Sequence, residues 1–312
     1  MILTVTLNPA VDQTLYVDGL KPHDTNRVMR TETDAGGKGV NLSRVAVELG
    51  GDSLATGFLG GGAGAFVRRV LDLQGVRHDF VEVAGNTRTN FSVEDGSGEP
   101  PTTFNSPGPN VTEEEWADLV ARVRAACKGA KWVTLGGSLP KGVPVEAYQE
   151  LGEIAKKAGC RVALDSDGEA MRRGLDARPH LIKPNGKEAG RLLSRAVESV
   201  DDAVFAAEEL RQYLEPDGVC VVSLGAEGAV MASPEGTLIG RPIEVEAKST
   251  IGSGDSLVGA MLAALGKGAS LQQAFLLGLA AGAATAMTDG AEIARRPVVE
   301  ELLPRALAES AH

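Results

Sequence analysis

The run Thr250-Ile251-Gly252-Ser253-Gly254-Asp255-Ser256 leads straight into an alanine-rich stretch, 255–266, whose apolar residues recur at helical spacing. Its glycines let the turn close tightly, and the free amides of a helix's first turn point at whatever lies before it. Such amides attract a phosphate. Asp255 competes with an anion for that same positive end, which is odd for a binding turn alone. A general base explains the adjacency: it takes a proton from a hydroxyl while the amides hold a moving phosphoryl group, so both charges are managed in one small volume. Taken by itself, a G-x-G-D turn also fits an ordinary capped helix.

Working outward, short apolar runs alternate with helical patterns from about residue 110. Helices are expected at 113–127 (capped by Thr112), 145–158 and 201–213, and strands at 132–135, 161–164, 181–182 and 219–222. The opening segment follows suit, with a strand at 2–7, a helix at 40–49 and a strand at 53–58. Each strand is a continuous apolar run, which argues a mostly parallel sheet covered by helices on both faces, an α/β fold. The last third reads as helices at 255–266, 270–287 and 297–308. Two polar, β-tending stretches, 12–33 and 86–106, break the rhythm and are read as two pieces of a small β-sheet lid. The main domain then comprises 1–11, 34–85 and 107–312.

Glycine is abundant, 39 of 312 residues, about one in eight against a usual ~7%. The glycines cluster at 36–39, 60–64, 136–137 and 252–254, which suggests ligand-facing turns at the carboxyl ends of strands. In Gly36-Gly37-Lys38-Gly39-Val40-Asn41, exposed backbone, one cation and one amide suit a polyhydroxylated or phosphorylated ligand. A plain turn and helix cap fits that stretch as well.

Other chemistries are disfavoured. There is no G-x4-G-K-[ST] loop and no G-x-S-x-G elbow, and Leu257 stands where a dinucleotide turn needs its third glycine. Lys plus Arg is 31 against 42 Asp plus Glu, a net charge of −11, which argues against nucleic acid and anionic membrane as partners. The three cysteines, Cys127, Cys160 and Cys220, sit among apolar neighbours without C-x-x-C spacing and read as buried free thiols. The four histidines show no metal-ligand spacing. No leader pattern precedes the first strand, and the run 274–287 is too short to span a bilayer, so a cytoplasmic location is expected.

The two glycine motifs together resemble the signatures of the ribokinase-like, or PfkB, carbohydrate kinases. Further matching stretches follow in family order: 6–12 (TLNPAVD), 26–28 (NRV), 87–90 (TRTN), 137–140 (GSLP), 183–188 (KPNGKE) and 223–228 (SLGAEG). The Leu-Asn-Pro-Ala-Val-Asp opening and Thr-Arg-x-Asn are similar to the branch acting on sugar phosphates, which holds 1-phosphofructokinases, tagatose-6-phosphate kinases and the minor 6-phosphofructokinases. Thr103-Phe104-Asn105 favours the first of these; 26–28 and 252–254 are also reminiscent of the second.

The resemblance implies a ribokinase-like fold, ATP and Mg²⁺ as cofactors, a sugar phosphate as substrate and a homodimer formed through the lid. It implies that Asp255 is the catalytic base and that Gly252, Ser253 and Gly254 form the anion hole through their amides. Asp12, Gly37, Lys38, Asn41 and Ser138 match sugar contacts, while Arg88 and Arg27, with Lys38, would face the phosphate already on the substrate. Lys183, Asn185, Ser223, Gly225 and Gly228 match the nucleotide side. Asn185 and Glu188 match an N-x-x-E pattern that organises Mg²⁺ largely through water; read from residues alone, N-x-x-E is also a near-match to a helix capping box.

Overall fold

The computed structural model describes residues 1–98 and 101–311; Glu99 and Pro100, inside the second expected lid stretch, and His312 lie outside the described residues. The chain runs through β1 (Ile2–Thr6), β2 (Ala10–Val17), β3 (Val28–Gly36), α1 (Lys38–Glu48), β4 (Ser53–Leu59), α2 (Gly61–Leu73), β5 (Arg77–His78), β6 (Val81–Glu82), β7 (Arg88–Glu94) and β8 (Thr102–Phe104). It continues with α3 (Glu113–Ala126), β9 (Trp132–Gly136), α4 (Ala147–Lys157), β10 (Arg161–Asp165), α5 (Gly168–Leu175), β11 (Leu181–Ile182), α6 (Gly186–Leu193), α7 (Val200–Arg211) and β12 (Val219–Ser223). The last elements are β13 (Ala229–Ser233), β14 (Gly236–Gly240), α8 (Ser253–Gly266), α9 (Leu271–Ala286), α10 (Arg296–Leu302) and β15 (Ala308–Ser310).

The main sheet follows the order β15-β14-β13-β12-β11-β10-β9-β1-β4-β5, parallel from β12 to β5 and antiparallel from β12 to β15. Its apolar runs are continuous because alternate residues serve opposite faces. Leu3, Val133, Leu135, Leu164 and Val222 pack on one side with Leu119 of α3, Leu151 of α4 and Leu210 of α7. Trp132, Ala163 and Val221 face the other side, against Leu42 of α1, Met261 of α8 and Phe275 of α9. Fully burying one such leucine contributes about 1.5–3 kcal/mol relative to exposure. The α/β reading, with helices on both faces, holds.

A second sheet of four strands, ordered β3-β2-β7-β8, is built from the two polar stretches. β2 pairs antiparallel with β3 and parallel with β7, placing Ala10 opposite both Gly36 and Arg88. This register sets Asp12 beside Asn90 on adjacent strands.

Three local readings change. The helix expected over 297–308 stops at Leu302, and a 3₁₀ turn, Leu303–Arg305, follows. Pro304 has no N–H to continue the ladder, and the chain emerges as β15, antiparallel to β14. The glycine cluster at 60–64, read as a ligand-facing turn, instead opens α2 with Gly60 as its N-cap. Its bare backbone lies against the segment before β7: a Cβ on Gly60 would stand 2.0 Å from the Gly85 carbonyl oxygen. The helix expected from Asp255 begins at Ser253. All three cysteines are buried and unpaired, and no helix among the described residues is long and apolar enough to cross a membrane.

Candidate active site

The carboxyl ends of the parallel strands converge on the N-terminus of α8. Gly252 caps that helix in the left-handed region at φ 78°, a conformation a side chain would resist. Ser256 N–H makes the helix's first regular bond, to Gly252 O at 2.8 Å, and the amides of Gly254 and Asp255 take no acceptor among the described residues. They are the free donors that the turn was expected to present. Asp255 Oδ2 accepts from Asn41 Nδ2 at 2.9 Å. Burial pushes the Asp255 carboxyl up to about 6; Asp165 adds to the rise, while Lys38, Asn41 and Lys183 oppose it. A carboxylate tuned there is ionised at neutral pH yet basic enough to accept a hydroxyl proton.

Beside Asp255 lies a cluster centred on Asp165, the last residue of β10. Lys38 Nζ donates to Asp165 Oδ1, and Lys183 Nζ lies 3.5 Å from Oδ2. Burial alone would raise the Asp165 carboxyl, but Lys183 and Lys38 overcome it and hold it below the ordinary range. Burial likewise works against the Lys38 ammonium, yet Asp165, Asp255 and Glu188 keep its pKa above the ordinary lysine value. A cleft is lined here by Lys38, Thr134, Gly136, Asp165, Asp255 and Val258. Thr134 Oγ1 and Ser253 Oγ are buried without a partner among the described residues, so hydrogen-bonding capacity at the site is left for a ligand.

The second sheet contributes Asp12, whose Oδ1 accepts from Asn90 Nδ2 at 2.8 Å. Burial raises its carboxyl, with Asn90, Arg88 and Arg44 opposing. Gly36 is needed for that close approach: a Cβ there would stand 1.8 Å from Asp12 Oδ2. Arg88 donates to the carbonyls of Ser106 and Asn8, each at 3.0 Å, while its buried Nε is unpartnered among the described residues. Asn8 in turn donates to Ser138 Oγ at 3.1 Å, so Ser138 and Arg88 are tied through one asparagine. Gly37 is the N-cap of α1, which carries Lys38 and Asn41 into the site. Arg27 stands apart, exposed between β2 and β3 and without an ion-pair partner among the described residues.

On the opposite flank, Asn185 and Glu188 form the capping box of α6, with Glu188 N–H to Asn185 Oδ1 at 2.9 Å and Asn185 N–H to Glu188 Oε2 at 2.8 Å. Asn185 also bridges to Ser223 at the end of β12. Gly225 and Gly228 bound the turn that follows, both at positive φ. Lys183 ties this flank to the centre: a Cβ on Gly254 would meet its Nζ at 2.8 Å.

Sequence reading passed over Asp165 and Arg44. Asp165 had one usable signal, a lone carboxylate at the carboxyl end of an apolar parallel strand. Arg44 is buried; its guanidinium donates to Ala35 O at 2.8 Å and reaches Asn41 Oδ1 at 3.4 Å, bracing the asparagine that holds Asp255. Nothing in a single sequence marks a helical arginine for that task.

Comparison with known proteins meets this geometry. Residues 5–297 match the model of the pfkB family of carbohydrate kinases. The 1-phosphofructokinase of Bacillus subtilis (strain 168) is 32% identical over 305 residues, 97% of this chain and 98% of its own. The 1-phosphofructokinase of Haloferax volcanii is 38% identical over 267 residues, 85% of this chain and 84% of its own. The structure of phosphofructokinase-2 from Escherichia coli in complex with substrates and products superposes with a TM-score of 0.90 at 32% identity, covering 97% of this chain and 98% of that one. The chain belongs to the pfkB family of carbohydrate kinases, with the ribokinase-like α/β fold, and is a phosphotransferase that uses ATP to phosphorylate a sugar hydroxyl.

Proposed function

We propose that the chain is a 1-phosphofructokinase, converting fructose 1-phosphate and ATP to fructose 1,6-bisphosphate and ADP. The observation that carries the chemistry is Asp255 itself: a half-buried carboxylate raised to about 6, held by Asn41 and set among the unpaired amides of the α8 N-terminus. The relatives named 1-phosphofructokinase support the choice of sugar.

Asp255, ionised above about pH 6, accepts the proton of the C6 hydroxyl as that oxygen attacks the γ-phosphorus in line. The new C–O–P bond forms as the bond to the ADP oxygen breaks, and the amides of Gly254 and Asp255 meet the charge on the moving group. Asp12, oriented by Asn90, accepts from sugar hydroxyls. Arg88 keeps Nε and its remaining N–H groups for the 1-phosphate, which a planar guanidinium grips well. The four-stranded sheet acts as the lid that excludes water.

Mg²⁺ would supply charge neutralisation on the ATP phosphates. Asn185 and Glu188 would hold it through water: their capping box occupies Asn185 Oδ1 and Glu188 Oε2. A hydrated hard cation that takes few direct protein ligands fits that donor set.

The test is ADP release by the purified chain with Mg-ATP, comparing kcat/KM for fructose 1-phosphate, tagatose 6-phosphate and fructose 6-phosphate. Fructose 1-phosphate should lead by on the order of tenfold or more, a discrimination of about 1.4 kcal/mol. A lead for either 6-phosphate overturns the assignment and means that the sugar binds reversed, with C1 attacking.

A further inference from the structure

Asp165 belongs to no motif, yet every cation at the centre of the site is referred to it. Its carboxylate is the shared partner of Lys38, on α1, and Lys183, after β11. Those two ammoniums serve different flanks. Lys38 lines one cleft with Asp165 and the base and feels the charge of both, with Glu188 of α6 adding to the same field. Lys183 is nearly fully buried, 5% exposed, and lies against Gly254 in the turn that carries the free amides. With both acids ionised, the two lysines and two aspartates balance.

We propose that Asp165 is the positioning residue of this active site: one oxygen holds Lys38 off the base and the other pins Lys183 against the Gly254 turn. Without the Asp165 charge, the two ammoniums repel each other, and the strongest attraction left to Lys38 is Asp255. An ion pair there would occupy the carboxylate that must accept the hydroxyl proton and make it a weaker base. Asp165 prevents that pairing and also contributes negative charge that favours protonation of Asp255. The inference rests on reading Asp255 as the general base. The charged groups acting on Asp255 are Lys38 from α1, Asp165 from β10 and Lys183 from the segment after β11; Asn41 adds a neutral hydrogen bond.

The experiment measures kcat and kcat/KM against pH for the parent chain and the variants Asp165→Asn, Lys183→Met and Asp255→Asn. Substrate phosphates titrate identically in all four, so differences report the protein. Asp165→Asn should lower kcat by on the order of tenfold or more and move the acid inflection down by about one pH unit. Lys183→Met removes a cation and leaves Asp165 wholly to Lys38, so its inflection should move up. Lys183 also acts on Asp255 directly, so should Asp165→Asn fail to fold, Asp165→Ser carries the test: the downward shift must follow the loss of the charge whichever neutral side chain replaces it. Unmoved inflections in Asp165→Asn and Lys183→Met, with Asp255→Asn inactive, overturn the role of Asp165 and leave the base in place. Near-parental turnover by Asp255→Asn overturns both.

Discussion

Asp255 is stabilised as an acid, while the proposed function needs it as a base, and that conflict has a thermodynamic consequence. Its carboxyl titrates near 6 in the folded chain against 3.8 ordinarily, so the folded state holds the proton more tightly than the unfolded state does. Stability from this group is therefore greatest below about pH 4, falls as pH rises towards 6, and stays reduced above. The deficit is on the order of 2–3 kcal/mol. Asp255→Asn removes the ionisation, so the variant should melt at higher temperature than the parent at pH 8, and the two curves should converge near pH 4. Equal melting temperatures at both pH values would show that the carboxylate is not strained by burial. The turn that places Asp255 was legible because two glycines and a helix start leave few alternatives. Asp165 was not, because its partner Lys38 lies more than a hundred residues away and no local pattern encodes such a partner; Arg44 was not, because an arginine three residues from Asn41 on one helix reads as an ordinary solvated side chain.

At the scale of elements, the apolar strands were readable because a parallel sheet buried on both faces needs uninterrupted hydrophobic runs. Helices α2, α5 and α6 were harder, since each begins at a glycine (Gly61, Gly168, Gly186), and glycine is among the weakest helix formers. α10 was overextended because the apolar spacing continues past Pro304, whose missing N–H ends the ladder. Between β2 and β3 the register pairs Gly36 with Ala10, and the Asp12 side chain lies across Gly36, which on the proposed reading ties the geometry of one sheet to sugar binding. Gly36→Ala places a methyl where the Asp12 carboxylate sits and displaces it from Asn90. The KM for the sugar phosphate should rise on the order of tenfold, the loss expected for one charged hydrogen bond, while the KM for ATP stays within twofold or so. An unchanged sugar KM would place Asp12 outside the substrate contacts.

Over the whole molecule, the sheet brings the carboxyl ends of its parallel strands to one rim, where α8, α1 and the four-stranded sheet supply Asp255, Lys38 and Asp12, the proposed base, cation and sugar-facing acid. On the proposed reading each side alone is incomplete: the helix terminus has donors without a sugar site, and the second sheet has Asp12 and Arg88 for the sugar phosphate without donors for the moving phosphoryl group. The most direct test of this account is single-turnover ADP formation by Asp255→Asn with Mg-ATP and fructose 1-phosphate, alongside equilibrium binding of an ATP analogue. The account predicts analogue binding within a few-fold of the parent and a phosphoryl-transfer rate lower by about 10²–10⁴. Transfer at near the parent rate with intact nucleotide binding would contradict it.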